Sequence, residues 1–483
     1  MHYKLILLWL LAWCLPSLNA QPIAVHPENP HYFIYKGKPI ILISSSEHYG
    51  AILNKAFDYK TYLETLAKDN LNYARIFTGT YVEKPGDFGI EQNTLAPDSM
   101  QLIVPWKRSD VPGYFYGGNK FDLEQWDEAY FERLKDLLTV AAKNNIIIEI
   151  TLFSSQYRGW PFNPLHPTNN INGTDAIERN YTHTIFNGNL FHYQEAFTRK
   201  MVQEVNHFDN FFFEIQNEPY ADSKVKVMPV NTYQHNWQDR ALDRIDLATP
   251  ESLAWQKKIA DIIVDEESKL PKKHLIAQNY ANFFYSLPKV EDNIDILNFH
   301  YSYPEANRLN YGYNLPIGFD EAGFAITDSS AYRRQAWNFI LSGGALYNNL
   351  DYSFAVGYED GTCDNNAPGF GGKEFRKHLS VLKKFVESFD FLKMKPDYES
   401  VVLAPGAMWQ VLSEKGKQYA IYLEGGNQTE ITLQIPAGKY NVKWINTETG
   451  EIDKSKKITI DADTIKLMSP EYEVDIALGI TKI

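Results

Sequence analysis

Between about residue 39 and residue 390, short unbroken apolar runs alternate with longer segments whose apolar residues recur at three- and four-residue steps. The runs are residues 39–43 (PIILI), 72–77 (NYARIF), 146–153 (IIIEITLF), 211–216 (FFFEIQ), 274–278 (HLIAQ), 294–299 (IDILNF), 315–319 (LPIGF) and 344–350 (GALYNNL). Continuous apolar runs of this kind fit parallel strands buried on both faces. Between Asp122 and Asn145, the residues Trp126, Tyr130, Leu134, Leu137, Leu138 and Ala141 form one helical stripe. Thr249-Pro250 is a helix start, with a capping hydroxyl and a proline in the first turn. Residues 332–341 and 375–389 supply the last helices. Eight strand–helix alternations predict an α/β protein, a (β/α)8 TIM barrel in preference to a doubly wound sheet.

The pattern changes after about residue 396. Residues 430–435 (EITLQI) and 440–445 (YNVKWI) alternate apolar with polar, and turns such as 448–451 (ETGE) punctuate the tail. Period-two alternation with frequent turns predicts a small antiparallel β-sandwich. The chain therefore divides into residues 1–20, a barrel over 21–395 and a sandwich over 396–483. Residues 80–120 and 154–189, rich in Gly, Pro, Asn and aromatics, read as long loops without regular structure. Both follow strands, so a barrel places both on its C-terminal face, where they would line a cleft.

Two motifs at strand ends bear chemistry. Residues 214–219 (EIQNEP) follow the apolar 211–213, which puts Glu218 at the C-terminal end of strand four beside the amide of Asn217. A carboxyl there suits protonation of a departing oxygen, and the amide suits a sugar hydroxyl. Residues 316–323 (PIGFDEAG) end strand seven, where Ala322 and Gly323 leave room beside Glu321. Each motif alone has an ordinary structural reading, a surface turn or an acidic helix start. Together, on different strands of one barrel, they point to a pair of carboxyls facing one cleft.

Asn-Glu-Pro ending strand four with a Glu ending strand seven resembles glycoside hydrolase clan A, which includes the cellulase-like family five. The resemblance spans roughly residues 30–390. It implies a retaining β-glycosidase with Glu218 as acid/base and Glu321 as nucleophile. It also implies that Asn217 meets the sugar 2-hydroxyl, that Arg75 keeps the nucleophile ionised, and that His300 and Tyr301 contact the nucleophile and substrate. The chain departs from the clan at strand eight, where 347–352 (YNNLDY) lacks the usual Trp platform, and at strand one, which ends in 46–49 (SEHY). Glu47 and His48 there read either as a sugar-hydroxyl clamp or as a polar cluster at the rim. The tail resembles the small β-domain attached to many such barrels, including apiosidase-like ones. A catalytically inactive glycan-binding protein on the same fold is the alternative.

Composition narrows the classes further. Sixty acidic against 47 basic residues give a net charge of −13, which disfavours a phosphate-backbone partner. Aromatic residues make up 14%, compatible with sugar stacking as well as with a large core. The 12 His are scattered without ligand spacing and no His-x-His marks strand one, so neither metal nor cofactor is expected. Lys4, the apolar stretch from Leu5 to Leu15 and Ala20 read as a secretory signal cleaved before Gln21, implying a secreted or periplasmic protein. Cys14 suggests a lipoprotein less well, because Trp13 stands where a small residue is needed. Without Cys14, Cys363 is the remaining cysteine, and the fold rests on its core without a disulfide.

Overall fold

The computed structural model describes residues 21–233, 243–324 and 328–483; the expected signal segment and Cys14 lie outside them. Eight parallel strands form the barrel. Strands one to eight are Leu42–Ser46, Tyr73–Phe77, Ile147–Ser154, Phe211–Asn217, Ile276–Asn282, Ile296–His300, Ile317–Ala322 and Leu346–Leu350. They run in the order one-eight-seven-six-five-four-three-two. The seam between strands one and two has no regular ladder. There the Asn72 side chain substitutes for one, its Oδ1 accepting from Ile43 N at 3.0 Å and its Nδ2 donating to Ile41 O at 2.8 Å.

Six of the seven connections between successive strands contain a helix, another helix, Lys373–Glu387, follows strand eight, and they follow the amphipathic stripes. Helix Glu128–Lys143 is capped by Asp127 and buries Tyr130, Phe131, Leu134, Leu137, Leu138 and Ala141 against the sheet. Helix Pro250–Glu267 is capped by Thr249. The connection from strand five to strand six has no helix, which corrects the eightfold alternation expected from sequence. Trp126 is also reassigned: it ends a strand, Asn119–Trp126, that pairs with Trp106–Pro112 inside the first long loop. That loop is thus partly structured, and Phe121 ties it to the second through Asn169 and Ile171. A further hairpin, Lys224–Pro229 with Arg244–Ala248, rises beyond strand four. At the opposite end of the barrel a small three-stranded sheet brings Phe33 against Phe212.

The tail forms a six-stranded and a three-stranded antiparallel sheet around Trp444, Ile421, Leu423 and Leu433, as its alternation predicts. It docks on helix Ser329–Leu341. Trp337 stacks on Tyr422 with ring centres 5.4 Å apart, and Arg333, buried at the joint, donates to Asp475 Oδ1 at 2.7 Å and Glu448 Oε1 at 2.6 Å. Cys363 is buried and free. No helix among the described residues is long and apolar enough to cross a membrane.

Candidate active site

Strand seven ends in two consecutive acids, and a regular strand would point them to opposite faces. A register irregularity between Phe319 and Ala322 turns both inward instead, as bulges do near functional sites. Arg75, fully buried in the middle of strand two, reaches both: its Nη1 donates to Glu321 Oε2 at 3.1 Å and its Nη2 lies 3.3 Å from Asp320 Oδ2. Tyr301 OH donates to the other oxygen of Glu321 at 2.7 Å. Gly323 follows with φ of +96°, and a Cβ there would meet Leu350 O at 2.8 Å, so the turn beside Glu321 requires glycine.

Across from this pair, Glu218 sits in a left-handed conformation (φ 43°, ψ 56°) before Pro219. Its carbonyl accepts from Ser155 Oγ at 2.6 Å, which holds the strained turn in place. Its carboxylate accepts from Tyr157 OH at 2.5 Å and lies 3.0 Å from His300 Nδ1. One oxygen of Glu218, one of Glu321 and a nitrogen of His300 all lie within 4.8 Å of one another. Burial alone would favour neutral His300, but the carboxylates of Glu321, Asp320 and Glu218 outweigh it and hold the imidazole protonated well above its ordinary range. Burial likewise favours protonated Glu218, yet the bonds from His300 and Tyr157 bring its pKa below the usual carboxylate value. Both directions favour the shared proton on His300 over Glu218 in the open site.

Beneath these residues the barrel interior is polar where such barrels usually hold branched aliphatics. Arg75 Nη2 donates to Glu214 Oε2 at 2.5 Å and to Asn217 Oδ1 at 2.9 Å. Thr151 donates to the same Glu214 oxygen at 2.7 Å. Glu149 accepts from Tyr73 OH and from Asn298 Nδ2, and burial pushes its pKa well up. Asp320 differs from its neighbours Glu149 and Glu214, whose pKa values are raised: burial works against its charge, but Arg75 and His300 hold it ionised. Glu214, His300 and Asp320 meet metal-ligand spacing, as do Glu218, His300 and Glu321. In the first group Arg75 already stands against two of the acids as their cation.

The cavity above has a volume of about 260 Å³. His48 lines it, but Glu47 does not, so of the two readings of this pair Glu47 follows the polar cluster and is corrected as a substrate contact. Glu47 is fully buried and turned into the wall, accepting from Gly50 N and Ala51 N at 3.0 Å each and from Thr94 Oγ1 at 2.5 Å. The partner of His48 is Glu83, at 3.2 Å from its Nε2. At strand eight Tyr347 points away from the cavity and bonds Tyr332 O, while Tyr352, two residues past the strand, lines it. The sequence reading missed Tyr157, Glu83 and the charged trio Lys224, Arg244 and Asp246 on the hairpin, all of which border the cavity. Only Tyr157 had a signal, its place in an aromatic-rich loop directly after a strand.

No protein-family model matches the chain, and no curated protein matches it. Solved structures share its fold. A Bacteroides vulgatus protein provisionally named a glycoside hydrolase superposes with a TM-score of 0.66 at 13% identity, over 96% of this chain and 83% of that one. A glycoside hydrolase family 5 structure from the same organism gives 0.61 at 13% identity, over 95% and 93%. A third structure, named a glycoside hydrolase, gives 0.60 at 12% identity, over 96% and 97%.

Proposed function

We propose that the chain is a β-glycoside hydrolase that retains anomeric configuration, with Glu321 as nucleophile and Glu218 as acid/base. The observation that carries this reading is that one carboxylate oxygen of Glu218 and one of Glu321, brought together from strands four and seven, lie within 4.8 Å of each other, a nearest-oxygen approach that suits a closely spaced carboxyl pair. Retaining enzymes hold their carboxyls at ~5 to 5.5 Å, whereas inverting ones leave ~6.5 to 9.5 Å for a water. The shared barrel of three structures named glycoside hydrolases adds support at the level of fold.

The chemistry follows from the contacts. Glu321, fixed by Arg75 and Tyr301, attacks the anomeric carbon as the bond to the departing oxygen breaks. The departing oxygen takes a proton from Glu218. In the open site that proton rests on His300, across a 3.0 Å bond. A sugar ring filling the cavity displaces water, and a drier site favours the neutral pair over the ion pair, which moves the proton onto Glu218. In the second half, Glu218 takes a proton from water, the water oxygen bonds the anomeric carbon, and Glu321 leaves as a carboxylate. The sum is one water added across one glycosidic bond. Asn217, held by Arg75 and by Tyr157 OH at 3.1 Å, presents its amide beside this centre for the 2-hydroxyl.

The test is labelling with 2,4-dinitrophenyl 2-deoxy-2-fluoro-β-glycosides, which trap the covalent intermediate, followed by peptide mass spectrometry. The label is expected on Glu321, and hydrolysis of an aryl β-glycoside is expected to release the β-anomer first by NMR. Release of the α-anomer refutes the mechanism. We also propose that residues 1–20 direct export, as their charge and apolar stretch suggest. A secreted form whose intact mass begins at Gln21 supports this; retained residues or a lipid adduct on Cys14 overturn it.

A further inference from the structure

Glu218 must stand beside the departing oxygen, so the leaving group lies on the side of strands four and five. The sugar held by Glu321 extends the other way, over the ends of strands one, two and eight. On that side the loops are stitched together. Gln92 N donates to Asn365 Oδ1 at 3.0 Å, Asn365 Nδ2 returns a bond to Gln92 O at 2.8 Å, and Glu91 N donates to Asn366 O at 2.9 Å. Asn365 Nδ2 also reaches Tyr352 O at 3.2 Å. The loop after strand two is thereby fastened to the loop after strand eight, and Glu47 fastens it through Thr94 to the loop after strand one. A glycan chain running past the nucleophile would have to cross this closed wall.

Among apolar side chains such as Ile90, Leu95 and Leu350, the wall brings three polar ones, His48, Glu83 and Tyr352, to the cavity. Glu83, 2% exposed, is held by Tyr81 OH at 3.0 Å, by Asn93 Nδ2 at 2.5 Å and by His48. Tyr352 is 3% exposed and borders the cavity, and its hydroxyl has no partner among the described residues; nor has His48 Nδ1. A buried hydroxyl left without a partner is costly unless a ligand supplies one.

We infer that this wall is a chain-end pocket: Glu83, His48 and Tyr352 bind the hydroxyls of one non-reducing terminal sugar, and the enzyme removes that sugar alone. This rests on the hydrolase reading above and adds the mode of attack and the residues that set it.

The experiment uses the full chain on β-linked gluco-, manno-, galacto- and xylo-hexasaccharides whose reducing ends are marked by borodeuteride reduction, with products followed by mass spectrometry from the earliest time. Free monosaccharide and a marked pentamer are expected first. Marked dimers, trimers or tetramers at that stage overturn the chain-end pocket and leave the hydrolase standing. No cleavage together with no fluoroglycoside label on Glu321 overturns both. On whichever aryl monoglycoside is cleaved, Tyr352→Phe and Glu83→Gln are expected to lower kcat/KM roughly 10- to 100-fold, mainly through KM. The loss should shrink on the matching deoxy-sugar, which a merely structural defect would not produce. Equal losses on both sugars overturn the assigned contacts.

Discussion

His300 Nδ1 stands 3.0 Å from Glu218 Oε1, so imidazole and carboxyl hold one mobile proton between them. The alkaline limb of the kcat/KM profile should then report the pair, whose proton is held well above the ordinary imidazole range by the surrounding carboxylates. In His300→Gln the proton must sit on Glu218 alone, a carboxyl. The alkaline limb is expected to move to lower pH by roughly one unit or more. An unmoved limb in the profile would show that His300 does not hold the proton.

Glu218→Ala should separate the two halves of the reaction. Cleavage of poor leaving groups, which need the proton, should slow by ~10² to 10⁴-fold. Dinitrophenyl glycosides, which need none, should show accumulation of the intermediate instead. Azide should restore turnover and give a β-glycosyl azide; an α-azide in the NMR spectrum contradicts retention.

Tyr301→Phe removes one of the two bonds that fix Glu321, at 2.7 Å, and leaves the ring packing. A hydrogen bond to a charged group is worth ~1.5 to 3 kcal/mol, so kcat should fall roughly 10- to 100-fold with unchanged thermal stability. Stopped assays beside a melting curve decide it.

Arg75→Met leaves Glu214 and Asp320 buried without their shared cation. Breaking a buried pair costs ~3 to 5 kcal/mol, and denaturant titration should show a loss of that size together with inactivity. Arg333→Met makes a similar break at the joint with the tail, against Asp475. It should lower stability while kcat/KM of the folded protein stays unchanged, because no residue lining the cavity belongs to the tail and Arg333 does not border the cavity.

Glu47 gives a pH prediction. Burial raises its pKa from 4.5 to about 7 against the opposing bonds from Thr94, Ala51 and Gly50. The folded state thus binds this proton more tightly than the unfolded one. The resulting stability is fully present below pH 4.5 and lost as pH rises through about 7. Relative to Glu47→Gln, the wild type should lose up to about 3 kcal/mol across that window. Parallel curves for the two proteins contradict it.

All eight barrel strands were legible because burial on both faces leaves continuous apolar runs. Several begin and end further along the chain than those runs, and the cause is chemical. Ser44–Ser46, Asn279 and Asn282, and Asp320–Glu321 are polar yet lie inside the barrel, so the apolar signal stops before the strand does. Glu218 and Glu321 were legible for the related reason that they end such runs. Glu47 misled by the same logic: it follows a strand, but its side chain is consumed by backbone amides. Glu83 and Lys224 reach the cavity from loop and hairpin positions that only tertiary packing defines.

Strand one pairs residue for residue with strand eight, Leu42 with Leu346 through Ser46 with Leu350. Its neighbour in sequence, strand two, is joined to it chiefly by Asn72 just before that strand, through its side-chain amide and its backbone N, which donates to Ile43 O at 3.4 Å. Ser46 and Asn348 are 302 residues apart. During synthesis, then, the first strand to leave the ribosome is among the last to find its ladder. The barrel cannot commit to closure until nearly all of its chain exists, and folding is dominated by one very long loop closure.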